Sequence, residues 1–143
     1  MTFQLVAGLA AKDYVTDLKL CRVLFEDNQY YPWIFLVPKK ENTKNMTCLT
    51  MEERLQLMRE IALAENVMFK LFDCDQDNVA MIGNMTPQLH VHVICRKQGD
   101  QEWPDTVWNK SSLKYSAREK ENIIAKIKAE FSAQAQDSQY GQL

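Results

Sequence analysis

The two histidines of the chain, His90 and His92, stand two residues apart in the segment 88–94, which reads QLHVHVI. Successive side chains of a β-strand point to opposite faces, so a strand here would place Gln88 and both histidines on one face. The alternate positions are all apolar, as is typical of a strand packed on a core. Imidazole, with an ordinary pKa of about 6.5, suits nucleophilic attack and proton transfer near neutral pH. The pattern therefore predicts a strand with one reactive face.

Groups that can bind an anion flank this strand. Gly83 and Asn84 lie in the preceding connector, 83–87, where glycine permits close backbone approach and amide groups can donate hydrogen bonds. Arg96 follows the strand and adds positive charge. A phosphate suits such a site, because its oxygens accept hydrogen bonds and its phosphorus accepts a nucleophile. A salt bridge for Arg96 and pure turn chemistry for Asn84 are the alternative interpretations.

Hydrophobic periodicity and helix caps indicate the elements that position this strand. The predicted elements are a short helix within residues 3–12 that Thr2 could cap, strands at 18–26 and 31–39 joined by a turn at 27–29, a long helix opened by a capping box of Thr50 and Glu53, a strand at 78–82, and a helix at 116–131 opened by a second capping box. The methionines Met51, Met58 and Met68 are expected to fill the core beneath the sheet. The tail 132–143 is rich in Gln and Ser and is expected to be frayed.

Together these elements predict an α+β fold, with an antiparallel β-sheet and helices packed on one of its faces. The 143 residues, 46% hydrophobic and 25% charged, suit one globular domain spanning residues 1–143. Its core is expected at about 18–97.

Composition also bears on partners and location. The net charge of −2 comes without a basic block, so no nucleic acid partner is expected. No apolar run reaches the roughly 18 residues that span a membrane, and no basic segment precedes the apolar N-terminal residues as in a secretory signal. The four cysteines form no CxxC pair and are predicted to be buried free thiols in the cytoplasm; they are Cys21, Cys48, Cys74 and Cys95.

The segment 88–94 resembles the signature of the histidine triad (HIT) family of nucleotide hydrolases and transferases. That signature is His-φ-His-φ-His-φ-φ, with φ apolar, and this chain matches it except that Gln88 stands at the first histidine. The resemblance covers roughly residues 18–97. Outside the signature it rests on Val23 to Asp27, Phe35 to Lys40, Asn78 and Gly83. The Trp103-Pro104 and Val107-Trp108 pairs are similar to a bacterial branch that carries Gln at the first triad position.

The resemblance implies a HIT-like fold and a two-step reaction. His90 would attack the α-phosphate of a nucleotide to form a nucleotidyl-histidine intermediate, which water then hydrolyses. His92 would donate hydrogen bonds to the phosphate or the leaving group. The main-chain carbonyl of Gln88 would accept a hydrogen bond from Nδ1 of His90 and so fix its tautomer.

The resemblance further implies a nucleotide substrate, with adenine the expected base, cleaved at a phosphoanhydride or phosphoramidate bond. A dinucleoside polyphosphate is one candidate. The residues expected to bind the substrate are Gln88, Asn78, Gly83, Asn84 and Arg96. A homodimer is expected, and the chemistry requires no metal and no other cofactor.

The chain departs from the family in two further places. Many members hold the ribose with an Asp on a longer loop after the first hairpin strand. Here the turn is short and Asp27 aligns before the position of that Asp, so no residue is assigned to the ribose. Many also carry a histidine where this chain has Glu41.

Four alternatives remain open from the sequence. The chain could bind nucleotides without turnover, having lost the first histidine. The two histidines could ligate a metal, although His-x-His needs a third ligand. Cys95 could serve as a nucleophile near His92, although it lies on the core side of the strand. Trp103 and Trp108 could either pack the C-terminal segment or form a wall of the pocket.

Overall fold

The computed structural model of the chain describes residues 3–140. Its elements are helix α1 (Ala7–Ala10), strands β1 (Asp13–Asp17), β2 (Cys21–Phe25) and β3 (Trp33–Pro38), helix α2 (Met51–Phe72), strands β4 (Gln76–Ala80) and β5 (Val91–Arg96), and helix α3 (Ala117–Gln134), with 3-10 turns at Met46–Cys48 and Ser138–Tyr140. The strands form one sheet in the order β1-β2-β3-β5-β4, and every neighbouring pair is antiparallel. The predicted α+β fold is confirmed.

The sheet contains the predicted hairpin and one strand that the sequence did not predict. β2 and β3 pair with Cys21 opposite Pro38 and Phe25 opposite Ile34. The unpredicted strand β1 lies at one edge, and only its Val15 is buried, so it shows little apolar alternation. β5 begins at Val91, so His90 lies immediately before the strand rather than within it.

The two faces of the sheet have different coverings. Side chains of α2 and α3 pack with Val91 and Val93 in one apolar cluster. On the opposite face Ile94 packs with Trp33, Phe35 and other residues in a second cluster, to which the N-terminal segment and the loop after β5 contribute. The histidines alternate with the valines, which places them on the face without the long helices.

Helix α2 begins with the predicted capping box. Thr50 Oγ1 accepts a hydrogen bond from the Glu53 amide at 3.1 Å, and Glu53 Oε1 accepts one from the Thr50 amide at 2.8 Å. The core prediction is wrong for Met51 and Met58, which are 66% and 63% exposed, while Met68 is buried. The buried side of the helix instead carries Leu57, Ile61, Ala64, Val67 and Met68, among others.

The two ends of the described chain differ from the sequence prediction. α1 begins only at Ala7, after Val6, so the predicted helix is wrong over residues 3–6; Thr2 lies outside the described residues. α3 continues to Gln134, and Tyr140 is buried, with its hydroxyl accepting a hydrogen bond from Asn66. The prediction of a frayed tail is therefore wrong for residues 132–140. None of the helices within residues 3–140 has the length and apolar character needed to cross a membrane.

The prediction of four free thiols is wrong for one pair. Cys74, in the turn after α2, forms a disulfide with Cys95 of β5, and their Cα atoms lie 5.3 Å apart. The β4–β5 pairing sets Cys95 opposite Asp77 and so brings the two cysteines together. Cys21 is a buried free thiol, and Cys48 is a partly exposed one. The disulfide removes Cys95 as a candidate nucleophile.

We expect two thiols to react in the protein denatured without reductant, and four after reduction. The disulfide links residues 21 apart in sequence. Closing such a loop lowers the entropy of the unfolded chain, so Cys95→Ser should lose about 3 kcal/mol of unfolding free energy. Urea unfolding under non-reducing conditions measures this, with Cys48→Ser as the matched control. Equal stability of the two variants would contradict the pairing.

Candidate active site

A cavity of about 580 Å³ opens on the face of the sheet that carries the histidines. His90 and His92 line it together with aromatic, amide and charged side chains. The polar and aromatic residues of its wall include Lys12, Glu26, Asn28, Asn84 and Trp108. Its size is in the range of pockets that enclose small organic ligands.

The tautomer of His90 is fixed by the main chain. Its Nδ1 lies 2.7 Å from the carbonyl oxygen of Gln88. A carbonyl oxygen can only accept, so Nδ1 carries the proton and Nε2 of the neutral ring is left with a free lone pair. This is the contact that the family resemblance implies for the residue at the first triad position. The geometry gives His90 the form that a nucleophile requires.

His92 has the opposite tautomer. Trp33 Nε1 can only donate, and it donates to His92 Nδ1 at 3.2 Å, so the ring proton lies on Nε2. Burial, followed by electrostatic repulsion between its protonated ring and that of neighbouring His90, lowers the pKa of His92 to about 4, although a main-chain hydrogen bond at Ile82 opposes this. His92 is therefore neutral at pH 7 and retains one N–H donor.

The two imidazoles lie side by side within an aromatic surround. Their ring centroids are 4.9 Å apart. Phe35 lies 5.0 Å from the His92 ring and Trp108 lies 4.8 Å from it, both edge-on. This packing holds the His92 ring and excludes water from one side, which is the physical cause of its low pKa. A free nitrogen and an N–H donor thus lie on adjacent rings.

We expect His92 to make the protein less stable in mild acid. The unfolded histidine takes up a proton below pH 6.5, whereas the folded one does so only near its pKa of about 4. Stability is therefore lost as the pH falls from 6.5 towards 4, by about 2 kcal/mol at pH 5. The variant His92→Gln lacks this titrating ring. Between pH 7 and pH 5 its free energy of unfolding should therefore fall by about 2 kcal/mol less than that of the wild type.

Chemical denaturation of both proteins at the two pH values measures this difference. A hydrogen bond with Asp77, together with burial, raises the pKa of Glu65 to about 7, which acts in the opposite direction. Glu65 is present in both proteins, so only their difference reports on His92. Parallel pH profiles would contradict the prediction.

The sequence did not reveal three polar residues of the cavity wall. Lys12 and Glu26 form an ion pair at 2.7 Å within the cavity lining. Asn28 is buried, and its Oδ1 accepts a hydrogen bond from the Tyr30 amide. Asp27 instead accepts a hydrogen bond from the Tyr115 amide, 2.8 Å away, and is absent from the lining. The sequence signal that could have identified Glu26 and Asn28 is the alternation of the predicted strand 18–26. Continued past its end, that alternation puts residues 26 and 28 on one face and 27 on the other.

The predicted anion-binding residues of the connector lie beside His90. Asn84 lines the main cavity. Gly83 and His90 both line an adjoining hollow of about 240 Å³. A Cβ atom on Gly83 would lie 3.1 Å from the Thr86 carbonyl oxygen, so this close backbone approach favours glycine.

Arg96 and Asn78 are placed away from the cavity. Arg96 is only 2% exposed, and its Nε and Nη2 donate to the two carboxylate oxygens of Asp100 at 2.8 and 3.0 Å. Its Nη1 donates to Asn78 Oδ1 at 2.8 Å. The structure therefore places Arg96 and Asn78, which were expected to bind substrate, outside the histidine cavity, and it supports the salt-bridge interpretation of Arg96. The reason is that the loop after β5 returns Asp100 to the guanidinium.

The two tryptophans divide between the two alternatives considered. Trp103 packs on Arg96, whose guanidinium carbon lies 5.8 Å from the centre of the Trp103 ring. Trp108 lines the cavity and lies beside His92. One therefore packs the segment after β5, and the other forms part of the pocket wall.

Gln88 contributes to the site through its main chain. Its side chain points to the N-terminal segment, where Oε1 accepts from the Val6 amide at 2.9 Å and Nε2 donates to the Gln4 carbonyl at 3.0 Å. It lines a separate hollow of about 490 Å³ and not the cavity of the histidines. The side chain of Gln88 is therefore placed outside the histidine cavity, and its main-chain carbonyl is the group that reaches His90.

The metal alternative lacks its third ligand in the part of the chain that the structure describes. Over residues 3–140 no three His, Cys, Asp or Glu side chains come together in a group that could hold a metal ion.

Comparison with known proteins identifies one family and many similar solved structures. The HIT domain model matches residues 8–99. A histidine triad protein from Bradyrhizobium japonicum is 33% identical, covers 92% of this chain and 99% of its own, and has a TM-score of 0.87. Another from Marinobacter aquaeolei VT8 is 35% identical, with coverages of 93% and 98% and a TM-score of 0.88.

A more distant structure is similar in fold. The diadenosine triphosphate hydrolase of Plasmodium falciparum, solved in complex with cyclomarin A, is 19% identical. The match covers 86% of this chain and 78% of that one, with a TM-score of 0.61. None of the curated proteins matches this chain.

Proposed function

The chain belongs to the HIT domain family, and from this premise we propose that it is a nucleotide hydrolase or nucleotidyl transferase acting through a nucleotidyl-histidine intermediate. One observation carries the proposal: His90 and His92 are adjacent but hold opposite tautomers. The first has a lone pair on Nε2 for attack, and the second has an Nε2 proton to donate. We also propose that the chain belongs to a bacterial branch of the family with Gln at the first triad position.

The proposed reaction has two displacement steps at phosphorus. In the first, Nε2 of His90 forms a bond to the α-phosphorus, and the bond from phosphorus to the leaving group breaks. The leaving group departs with that electron pair and takes up a proton. In the second, water attacks the phosphorus and loses a proton. The bond from phosphorus to Nε2 of His90 breaks, its electron pair returns to Nε2, and the nucleoside monophosphate leaves. His92 donates its Nε2 proton as a hydrogen bond to the charged oxygens in both steps.

The substrate proposed is a nucleotide with a phosphoanhydride or phosphoramidate bond, with adenine as the expected base. The cavity of about 580 Å³ is of a suitable size, and the P. falciparum structure of similar fold is a diadenosine triphosphate hydrolase. In the wall of the histidine cavity, Glu26 and Asn28 offer polar groups for sugar hydroxyls, and Asn84 offers an amide for the phosphate. Gly83 adds close main-chain approach beside His90.

A nucleotide-binding protein without turnover is the second candidate. The observation that favours it is the engagement of the Gln88 side chain with residues 4 and 6, which leaves the first triad position without a side chain at the reacting group. This candidate predicts that AMP raises the melting temperature while no substrate is consumed.

The test is an assay of AMP release in the presence of a chelator. Adenosine phosphoramidate and a dinucleoside polyphosphate serve as substrates, and the products are separated by chromatography. Release of AMP supports the enzyme, and a trapped adenylate on the protein supports the covalent route. AMP binding without turnover would favour the second candidate. Loss of activity and of stability in chelator alone would support the metal alternative.

We further propose a homodimer that forms through the β4 edge of the sheet. β4 is an edge strand, and Val79, Met81 and Ile82 on or just after it are all more than a third exposed. An unpaired apolar edge is suited to pairing with a second copy.

Changing Val79 to lysine should convert such a dimer to a monomer. The charge would be desolvated at the interface, which opposes edge pairing. Light scattering after size-exclusion chromatography measures the mass, and Leu113→Lys, at an exposed apolar residue of the loop after β5, is the matched control. A wild-type monomer, or a dimer that tolerates Val79→Lys, would refute this interface.

We propose a cytoplasmic location, on the ground that the proposed substrates are nucleotides. The disulfide between Cys74 and Cys95 argues for an oxidising environment. Cell fractionation with detection of the native protein decides between the two.

A further inference from the structure

The side chain of Gln88 makes a paired contact that the proposed reaction does not use. Its carboxamide oxygen accepts from the amide of Val6, and its carboxamide nitrogen donates to the carbonyl of Gln4. The acceptor and donor thus match residues i and i+2 of an extended segment, as a neighbouring strand would. Gln88 is only 7% exposed, so the contact is largely shielded from water. Hydrogen bonds of this kind are hard to replace with solvent.

This contact is the main polar attachment of the N-terminal segment. Within residues 3–140, the two Gln88 bonds are the only hydrogen bonds that join residues 3–6 to a distant part of the chain. The segment runs directly into α1, which starts after Val6. Fixing Val6 therefore fixes the starting point and direction of α1.

The attached helix forms one wall of the histidine cavity. Gly8 and Leu9 of α1 line it, as does Lys12 just beyond. Leu9 is buried in the same apolar cluster as Trp33 and Phe35. The Gln88 end of the wall is thus held by two hydrogen bonds together with packing of Phe3, Leu5 and Val6. The other end is held by packing of Leu9 and by the Lys12–Glu26 ion pair. Releasing one end would loosen the wall without touching the histidines.

A glutamine suits this position for a chemical reason. A carboxamide carries an acceptor and a donor on the same carbon, so it can bind a carbonyl and an amide of one segment at once. A histidine places its two nitrogens on different sides of a ring and cannot reproduce this pairing. The departure from the family signature therefore coincides with a contact that requires it.

We propose that the Gln88 side chain is a positioning group that fastens residues 4–6, and through them the α1 wall of the cavity, and so sets affinity for the nucleotide. The main-chain carbonyl of the same residue orients His90 independently of the side chain. The part concerning affinity rests on the proposed function. Side-chain substitution should therefore change binding and leave the chemical step intact.

The test compares Gln88→Met with the wild type and with Gln4→Ala. Methionine keeps the length of the side chain and removes both hydrogen bonds, while Gln4→Ala keeps the main-chain carbonyl that Gln88 contacts. Three quantities are measured: exchange of the Val6 amide hydrogen, the Kd for AMP by calorimetry, and kcat with KM. For Gln88→Met we expect Val6 exchange at least about tenfold faster, and Kd and KM raised roughly tenfold with kcat changed less than about twofold. Gln4→Ala should match the wild type.

Each other outcome has a definite meaning. Unchanged exchange at Val6 overturns the attachment, and faster exchange with unchanged Kd and KM overturns its role in affinity. A fall in kcat with constant KM also overturns it, because the side chain would then act on the chemical step. AMP binding without turnover by the wild type refutes the enzyme while leaving the Kd comparison decisive. No AMP binding by the wild type refutes the proposed function and the link to affinity together.

Discussion

Replacing His90 by alanine is expected to lower kcat roughly 10⁴-fold or more, which corresponds to about 5.5 kcal/mol of transition-state stabilisation. The lone pair on Nε2 exists because the Gln88 carbonyl holds the ring proton on Nδ1. Alanine removes the nucleophile and leaves water to attack without a covalent intermediate. The adenylated protein trapped from the wild type should be absent from the variant. Single-turnover assays with adenosine phosphoramidate measure both effects.

The variant must be shown to fold and to bind. We expect His90→Ala to bind AMP within about tenfold of the wild-type Kd, because the other walls of the cavity remain. A second variant, His92→Gln, keeps a side-chain N–H donor and should form the intermediate more slowly instead of abolishing it. Turnover by His90→Ala equal to that of the wild type would refute His90 as the nucleophile.

The parts of this protein that could be predicted from the sequence are those set by local pattern. Polar and apolar residues alternate around His92, so strand geometry predicted that one face of β5 carries the histidine and the other packs on the core. The cap at Thr50 fixed the start of α2, because its two hydrogen bonds involve residues three apart. Local spacing was sufficient in both cases.

The remaining features depend on which distant segments meet. The Gln88 side chain contacts residues 82 and 84 positions away, and no local pattern indicates such a partner. The exposed Met58 shows a related limit, because helical spacing does not say which stripe of an apolar helix will face the sheet. Arg96 was attributed to the site since it follows the predicted strand 88–94. Its role is decided by Asp100, which the loop after β5 returns to the guanidinium.

That role predicts a large effect of Arg96→Met on stability. The guanidinium is almost fully buried, with its hydrogen bonds going to Asp100 and Asn78 and the Tyr31 ring 5.2 Å away. Methionine fills similar space but leaves the buried carboxylate of Asp100 without its counter-charge. Removing one partner of a buried pair should lower the free energy of unfolding by about 3–5 kcal/mol. Urea denaturation at pH 7 measures the change.

Two further variants show whether the loss comes from the unpaired charge. Arg22 pairs with Asp17 at 2.8 Å in a much more exposed setting. Arg22→Met should therefore lower the free energy of unfolding by less than about 1 kcal/mol. Adding Asp100→Asn to Arg96→Met should recover part of the stability, because the uncompensated charge is then removed. The KM of Arg96→Met, measured where it remains folded, should match the wild type within about twofold. A KM raised tenfold at unchanged stability would instead support a place for Arg96 in the substrate site, because a guanidinium that leaves Asp100 could meet the phosphate.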